Sequence, residues 1–322
     1  MSTADTAPRR TLPTGLPVGR AQLQEYALVG VVLVLLVVGA ILEDAFLTSD
    51  NMLNVLRQAS VVGVLAIGMT FVIATGGIDL SVGSMVAAAA VAGGQFADSG
   101  SVAFILGAIG MGVLLGGINA GAIAYGRVVP FIATLAMFTM ARGLALWMSD
   151  KSPISIFSLE GVRWFGNGEV VGIPSAAVVF LAVTVVAWVV LNRTSYGRYV
   201  VAFGGNREAA RIAGVKVRRI VFSVYVLSGI CVAIAAILVS GRLSSASPIV
   251  GNLYELDAIA AVVIGGTSLA GGRATIVGTF LGVITFALIF NLLTLLDLAT
   301  EIQQVTKGLI ILAAVLIQRR DR

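Results

Sequence analysis

The sequence predicts an all-α protein, a polytopic transmembrane helical bundle of about ten spans with both termini cytoplasmic. The first observation is composition: 58% of the 322 residues are hydrophobic, 11% are charged, and the mean hydropathy is +1.01. A soluble protein carries about 25% charged residues. The second is that nearly all of the chain falls into apolar runs of the kind that form membrane helices. The third is that basic residues gather in alternate loops, which predicts the side of the membrane for each loop.

The first apolar run, residues 26–42, follows a polar tail at residues 1–25. The run is longer than the apolar core of a typical signal peptide, and Glu43-Asp44 follows it without a small-residue cleavage site. We therefore predict a retained first span. Nine further runs complete ten spans, of which the third and the tenth are short for a full crossing. These nine runs are residues 59–75, 84–97, 102–124, 131–148, 174–191, 220–240, 256–270, 276–296 and 305–317.

The positions of the basic residues support this topology. Alternation from a cytoplasmic N-terminus places fifteen of the 21 Lys and Arg residues in inside segments and five in outside loops. Such an excess predicts an even number of spans with both termini inside. One inside loop, residues 193–219, holds seven of the fifteen. The chain is thus divided into a cytoplasmic tail (1–25), a transmembrane domain (26–318) that contains this loop, and a cytoplasmic end (319–322).

The residue types present exclude several classes of site. The chain has no histidine, which removes the commonest metal ligand and general base. Its one cysteine, Cys231, excludes an intrachain disulfide and a CxxC site, and we expect a small buried side chain there. No P-loop, G-x-S-x-G or H-E-x-x-H motif occurs. The sequence therefore predicts neither an enzyme nor a metal site. The net charge of +5 is explained by the basic residues of the inside segments and does not indicate nucleic-acid binding.

The segment TGGIDLSVGS, residues 75–84, joins two apolar runs and carries one carboxylate. Its paired glycines permit a broken helix or a tight bend at membrane depth, where protein or water must cover the freed backbone groups. Two interpretations stay open. In one, Asp79 is a capping or pathway carboxylate in a discontinuous helix; in the other, Asp79 or Ser81 is the N-cap of an ordinary inside turn. The first assigns a translocation path or helix break to Thr75, Gly76, Gly77, Asp79 and Ser81.

Two further features are candidates for the path. The pattern Gly-Gly-x5-Gly-Ser/Thr of residues 76–84 recurs at 271–279, which adds Gly271 and Gly272 and leaves open whether the chain is internally duplicated. Arg142 lies inside the fifth span, about 9 Å from its polar outside end. It either snorkels to that end or forms a structural pair with an outer-loop carboxylate, or else it contacts the transport path.

The inside loop 193–219 combines charge with turn signals. Gly204, Gly205 and Asn206 can set a turn, Asn206 is a suitable N-cap, and a short helix is expected from Arg207 to Ile212, ended by Gly214. A loop that serves only as a positive-inside anchor needs neither the helix nor its small residues. We therefore favour a helix that docks a partner over a simple anchor.

Taken together, these stretches resemble the membrane permease subunits of ATP-binding cassette (ABC) importers of the ribose, xylose, galactose and autoinducer-2 type. The resemblance covers nearly all of residues 50–318, and the matching stretches recur in family order. They are GMTFVIATGGIDLSVGS (68–84), PFIATLAMFTMARGLAL (130–146), YGRYVVAFGGNREAARIAGV (196–215), SGRLSSASP (240–248) and YELDAIAAVVIGGTSLAGGR (254–273).

The resemblance implies a homodimeric permease of the bacterial cytoplasmic (inner) membrane that moves a monosaccharide through a central path. A periplasmic or extracellular sugar-binding protein would deliver the sugar. A cytoplasmic ATPase, often two fused cassettes in one chain, would bind ATP-Mg and drive transport, so this chain itself would bind no cofactor. The loop resembles the family's coupling segment, which inserts into the ATPase. The coupling residues would be Gly205, Asn206, Arg207, Glu208, Ala209, Ala210, Arg211 and Gly214.

The chain departs from the family pattern at two places. Ala274 stands where the family usually has the third glycine of GGRGT, and the stretch at 291–297 reads NLLTLLD where NGLNLLG is frequent. These departures put the particular sugar in doubt. An ion-coupled secondary transporter is the alternative function, and it would use ionisable groups near the bilayer midplane. Only Asp79 and Arg142 are candidates for that role, and a membrane enzyme would need paired catalytic residues that the sequence does not offer.

Overall fold

The computed structural model describes residues 18–320, with side chains from 26 to 316, and within this range it is mainly helical. The tail residues 1–17 and the last two residues lie outside the described part. The helices are α1 (Val18–Leu42), α2 (Ser49–Ala74), α3 (Val82–Gly94), α4 (Ser101–Ala124), α5 (Pro130–Met148), α6 (Glu160–Asn167), α7 (Ser175–Arg193), α8 (Ser195–Gly205), α9 (Arg207–Ile212), α10 (Val217–Leu243), α11 (Tyr254–Ile264), α12 (Ile276–Leu295) and α13 (Thr300–Arg320).

Six of the described helices are long and apolar enough to cross a membrane, namely α2, α4, α5, α7, α10 and α12. Shorter apolar helices cover Tyr26–Leu42, within α1, and Val82–Gly94, which is α3. Each of the ten apolar runs overlaps a helix, so the prediction of an all-α bundle with several membrane-spanning helices is confirmed.

Some helix bounds differ from the prediction. Helix α1 begins at Val18, inside the segment predicted as a polar tail. Helix α2 begins at Ser49 rather than at residue 59, so that Arg57, predicted in an outside loop, lies within it. Helix α11 ends at Ile264 rather than at 270, because Gly266 adopts a φ of +88°, in the left-handed region that ends helices.

The core is built around α10, which packs against α4, α2, α6 and α3. All residues of α3 are buried, which explains how a helix too short for a full crossing is accommodated. Helix α4 approaches α10 closely because glycines face each other: a Cβ built on Gly116 would lie 2.9 Å from the Cα of Gly229. Cys231 of α10 is buried, as expected. At the edge of the bundle, α1 packs against α12, and α13 packs against α11.

The two ends of the bundle differ. One, the strand end, carries four two-residue strands, β1 (Ile154–Ser155), β2 (Glu169–Val170), β3 (Ile173–Pro174) and β4 (Ser245–Ala246), paired antiparallel as β1 with β4 and β2 with β3. The other, the α8–α9 end, gathers α8, α9 and the links between α2 and α3, α4 and α5, and α11 and α12. The predicted inside segments 125–130, 192–219 and 271–275 therefore share one end, and the predicted outside segment 149–173 lies at the other.

Candidate functional site at the α8–α9 end

The short helix predicted in loop 193–219 is confirmed as α9. The side chain of Asn206 caps it, since its Oδ1 accepts a 2.9 Å hydrogen bond from the amide of Ala209. Gly214 follows with a φ of +84°, and its amide donates to the carbonyl of Arg211. This is the left-handed glycine that commonly terminates a helix.

The turn predicted at Gly204 and Gly205 is wrong, because both glycines belong to the last turn of α8. Sequence reasoning missed α8 altogether. Its start could have been recognised from Thr194, whose hydroxyl caps the helix by accepting a hydrogen bond from the amide of Gly197. Two helices meeting at Asn206 therefore replace the single short helix expected in this loop.

Helix α9 has one buried and one exposed face. Ala210 is buried, whereas the side chains of Glu208 and Arg211 are about two thirds exposed and Ile212 is 76% exposed. Arg211 donates from Nε to Oε2 of Glu208 at 3.0 Å. This hydrogen bond holds the pKa of the Glu208 carboxyl below its usual value, so the pair is ionised at neutral pH. The exposed face thus combines an ion pair with a large apolar side chain.

Three glycine pairs, at 76–77, 204–205 and 271–272, meet at the end of α8. The amide of Gly272 donates a 3.0 Å hydrogen bond to the carbonyl of Ala74, at the end of α2. Gly76, Gly271 and Gly272 all have φ between +76° and +82°, a backbone conformation that is sterically unfavourable for residues with a Cβ. A Cβ on Gly204 would strike the Ala74 carbonyl and the Gly272 amide. The end of α8 therefore rests directly on the α2–α3 and α11–α12 links, which the two similar Gly-Gly segments form.

The carboxylate of Asp79 lies in the α2–α3 link and is buried. It accepts hydrogen bonds from the amide and hydroxyl of Ser81, at 3.0 and 2.5 Å, and from the hydroxyl of Ser228 in α10 at 3.1 Å. Asn119 of α4 donates to the Ser81 hydroxyl at 2.9 Å. Ser81 precedes α3 without capping it through its side chain. Asp79 thus joins the α2–α3 link to α4 and α10 through a buried polar network.

Arg142 lies away from these residues, towards the strand end. Its Nη1 donates to the carbonyls of Pro248 and Val250, at 2.7 and 3.0 Å, in the segment between β4 and α11. The structure therefore brings together Thr75, Gly76 and Gly77 with Gly271 and Gly272, but not with Arg142. The hydrogen bonds of Arg142 go to backbone carbonyls and not to an outer-loop carboxylate.

One charged pair at the strand end was missed by sequence reasoning. The Nζ of Lys307 in α13 lies 2.5 Å from Oδ1 of Asp257 in α11, and both side chains are largely buried. The sequence did contain a signal for this pair. Asp257 lies near the predicted outside end of the run 256–270, and Lys307 lies near that of the run 305–317.

Comparison with known proteins gives consistent matches over the length of the chain. The family described as the permease component of branched-chain amino acid transport systems matches residues 51–315. The ribose import permease protein RbsC of Bacillus subtilis is 46% identical over 290 residues, covering 89% of this chain and 90% of that protein. RbsC of Escherichia coli K12 is 40% identical over 311 residues (94% and 96%), and the D-allose transport system permease protein AlsC of the same strain is 33% identical over 291 residues (89% and 89%). No solved structure matches the chain.

Proposed function

The chain belongs to the permease family of ABC importers, and we propose how its helices, its loop 193–219 and its partners carry a sugar into the cell. It is the permease subunit of a sugar importer, a multi-pass protein of the bacterial inner membrane and a non-catalytic component of the transporter. Relatives named as ribose and D-allose permeases indicate a monosaccharide of this kind as the cargo.

The proposed topology has ten spans with both termini in the cytoplasm. The α8–α9 end then faces the cytoplasm and the strand end faces outside, in agreement with the excess of Lys and Arg in loop 193–219. Helices α3 and α11 are too short to cross alone. Their links at residues 75–81 and 265–275 therefore lie deeper than an ordinary loop, where the surrounding helices cover the freed backbone groups.

In this proposal α9 is the coupling helix. An importer permease works with an ATPase and a substrate-binding protein. The exposed face of α9, with Glu208, Arg211 and Ile212, would enter a cleft of the ATPase, which binds ATP-Mg and carries the hydrolysis. This chain would bind no cofactor. The homodimer and the fused cassettes of the ATPase are parts of the same proposal.

The single observation that carries the proposal is the contact of Gly204 with Ala74 and Gly272. Because the end of α8 rests on both links, a displacement of α9 by the ATPase reaches α2–α3 and α11–α12 together. Asp79 extends the contact into the core through Ser228 of α10. Movement at the ATPase would thereby change how the inner helices pack, which opens and closes a path at the homodimer interface.

The test is transport by the reconstituted complex. The permease, its ATPase and its binding protein are placed in liposomes, and uptake of D-ribose and D-allose is measured with ATP on the ATPase side. We expect uptake that requires ATP, the ATPase and the binding protein. Uptake that persists without ATP and collapses with a proton ionophore would instead identify an ion-coupled secondary transporter.

A further inference from the structure

A cavity of about 280 Å³ opens at the strand end, between α2, the end of α10, α11, α12 and α13. Helix α13, which packs against α11, forms part of its wall. Small-molecule pockets have volumes of about 300 to 1,000 Å³, so this one suits only a small ligand. Its polar lining includes Gln58, Arg242, Tyr254, Asp257, Gln303 and Lys307.

The Asp257–Lys307 ion pair forms part of the cavity wall. Both side chains are largely withdrawn from solvent, with 12% and 16% exposed. Desolvation of a buried pair offsets most of its electrostatic attraction, and an apolar pair of similar size is often as stable or more so. Stability of the helix bundle alone therefore does not require charges at this position. A ligand that hydrogen-bonds to them would give a second reason for their presence.

Two aromatic side chains of the cavity lie beside the ion pair. Lys307 Nζ lies 5.3 Å from the ring centroid of Phe290 and 5.9 Å from that of Phe286, both in α12. The ammonium is a donor only and the carboxylate an acceptor only, while Tyr254 and Gln58 can be both. Each hydroxyl of a sugar both donates and accepts, and its C–H faces are apolar. A cavity with donors, acceptors and an aromatic wall matches those properties.

We propose that this cavity is a monosaccharide-binding subsite within the single subunit, on the side from which the sugar enters. Asp257 accepts and Lys307 donates hydrogen bonds to ring hydroxyls, and Phe286 and Phe290 contact the C–H face. The inference rests on the proposed function for the identity of the cargo and for the outward orientation of the strand end. The subsite would bind the sugar transiently before the sugar reaches the path between the subunits.

Cysteine protection tests the subsite in the complete transporter. Thr294 lines the cavity, so Thr294→Cys places a thiol at its wall, while Cys231 is buried in the core. Val171, 97% exposed in the β2–β3 turn at the same end of the bundle, provides the matched control Val171→Cys. The alkylation rate by a membrane-impermeant maleimide is measured with and without D-ribose. We expect D-ribose to slow the reaction several-fold at Thr294→Cys and to leave it unchanged at Val171→Cys.

A second variant tests whether the ion pair binds the sugar. In Asp257→Leu with Lys307→Met, residues of similar size replace the pair, so the bundle should fold while protection of Thr294→Cys is lost. Three outcomes would overturn the subsite. They are ATP-driven uptake without protection of Thr294→Cys by D-ribose, equal protection of the two thiols, and stronger protection of Thr294→Cys by D-gluconate than by D-ribose. Protection without ATP-driven uptake would support the subsite and overturn the proposed function. Absence of both would overturn the two together.

Discussion

The amide nitrogen of Gly272 donates a 3.0 Å hydrogen bond to the carbonyl oxygen of Ala74, which ties the α11–α12 link to the end of α2. The two links have similar sequences and lie far apart along the chain. Gly204, at the end of α8, contacts both partners of this bond. One small region of backbone therefore connects the docking helix α9 with the ends of two inner helices.

Gly204→Ala should disrupt this connection. The new Cβ would strike the Ala74 carbonyl and the Gly272 amide, which are backbone atoms without freedom to move aside. Overpacking of this kind costs about 1–3 kcal/mol. We expect a lower midpoint of thermal unfolding in detergent, and lower ATP-driven uptake in whatever protein folds.

The neighbouring glycine provides the control for this variant. In Gly205→Ala the nearest atom to the new Cβ is the Gly272 Cα at 3.8 Å, an ordinary contact. We expect the unfolding midpoint and uptake to stay close to those of the wild type. Equal losses in the two variants would show that the contact of Gly204 is not special.

Glu208→Ala together with Arg211→Ala should weaken binding of the ATPase. The pair is exposed, and exposed ion pairs contribute little to stability, so folding and membrane insertion should be unchanged. Loss of both charges removes the polar part of the exposed face of α9. Co-purification of the ATPase with the tagged permease measures the effect.

Arg198→Ala is the control for the double variant. Arg198 lies in the same basic loop, but on α8, where it is exposed and its guanidinium bonds the hydroxyl of Ser195. Its replacement should leave co-purification near the wild-type yield. If the double variant also co-purifies normally and supports uptake, α9 is not the coupling helix.

Asp79→Ala should destabilise the bundle. The carboxylate accepts hydrogen bonds from Ser81 and Ser228, and its removal leaves their hydroxyl groups buried without this acceptor. A buried polar group left without its hydrogen-bond partner costs about 1–3 kcal/mol. Thermal unfolding in detergent should show the loss, while Asp98→Ala, in the exposed 3-10 turn Ala97–Ser99, should show none. A normal midpoint in Asp79→Ala would mean that the buried network is not structural.

The sequence predicted the parts of this structure that depend on local chemistry. Helix α9 was predicted to the residue, because Asn206 caps it and Gly214 ends it, and both signals lie within the helix and its flanks. The apolar runs predicted the membrane helices because a membrane helix must be apolar along its length. The absence of catalytic motifs predicted a non-catalytic chain, and the family match supports that prediction.

The parts that depend on contacts between distant segments could not be predicted in this way. The similarity of the segments at 76 and 271 was visible in the sequence, but their contact through Ala74 and Gly272 requires the fold. The pairing of Asp257 with Lys307 joins two helices that a full span separates. The bounds of α2 and α11 were wrong because hydropathy alone does not mark helix ends: α2 includes the polar residues before 59, and α11 ends ahead of the left-handed Gly266.

The last prediction concerns the close approach of α4 to α10. A Cβ on Gly116 would lie 2.8 Å from the carbonyl of Tyr225 and 2.9 Å from the Cα of Gly229, whereas no atom outside its own helix backbone and chain neighbours lies within 4 Å of a Cβ on Gly117. Alanine favours a helix over glycine by about 0.8–1 kcal/mol at either position. The difference between the two variants therefore isolates the helix contact.

Gly116→Ala should lower the midpoint of thermal unfolding relative to Gly117→Ala, because overpacking costs about 1–3 kcal/mol. In a bilayer the hydrophobic effect does not drive helices together. Small residues let membrane helices approach closely, and van der Waals contacts then hold them. Since α10 carries Ser228, which bonds Asp79, a displaced α10 should also reduce ATP-driven uptake in Gly116→Ala. Equal midpoints for the two variants would mean that α4 and α10 can separate at Gly116 without cost.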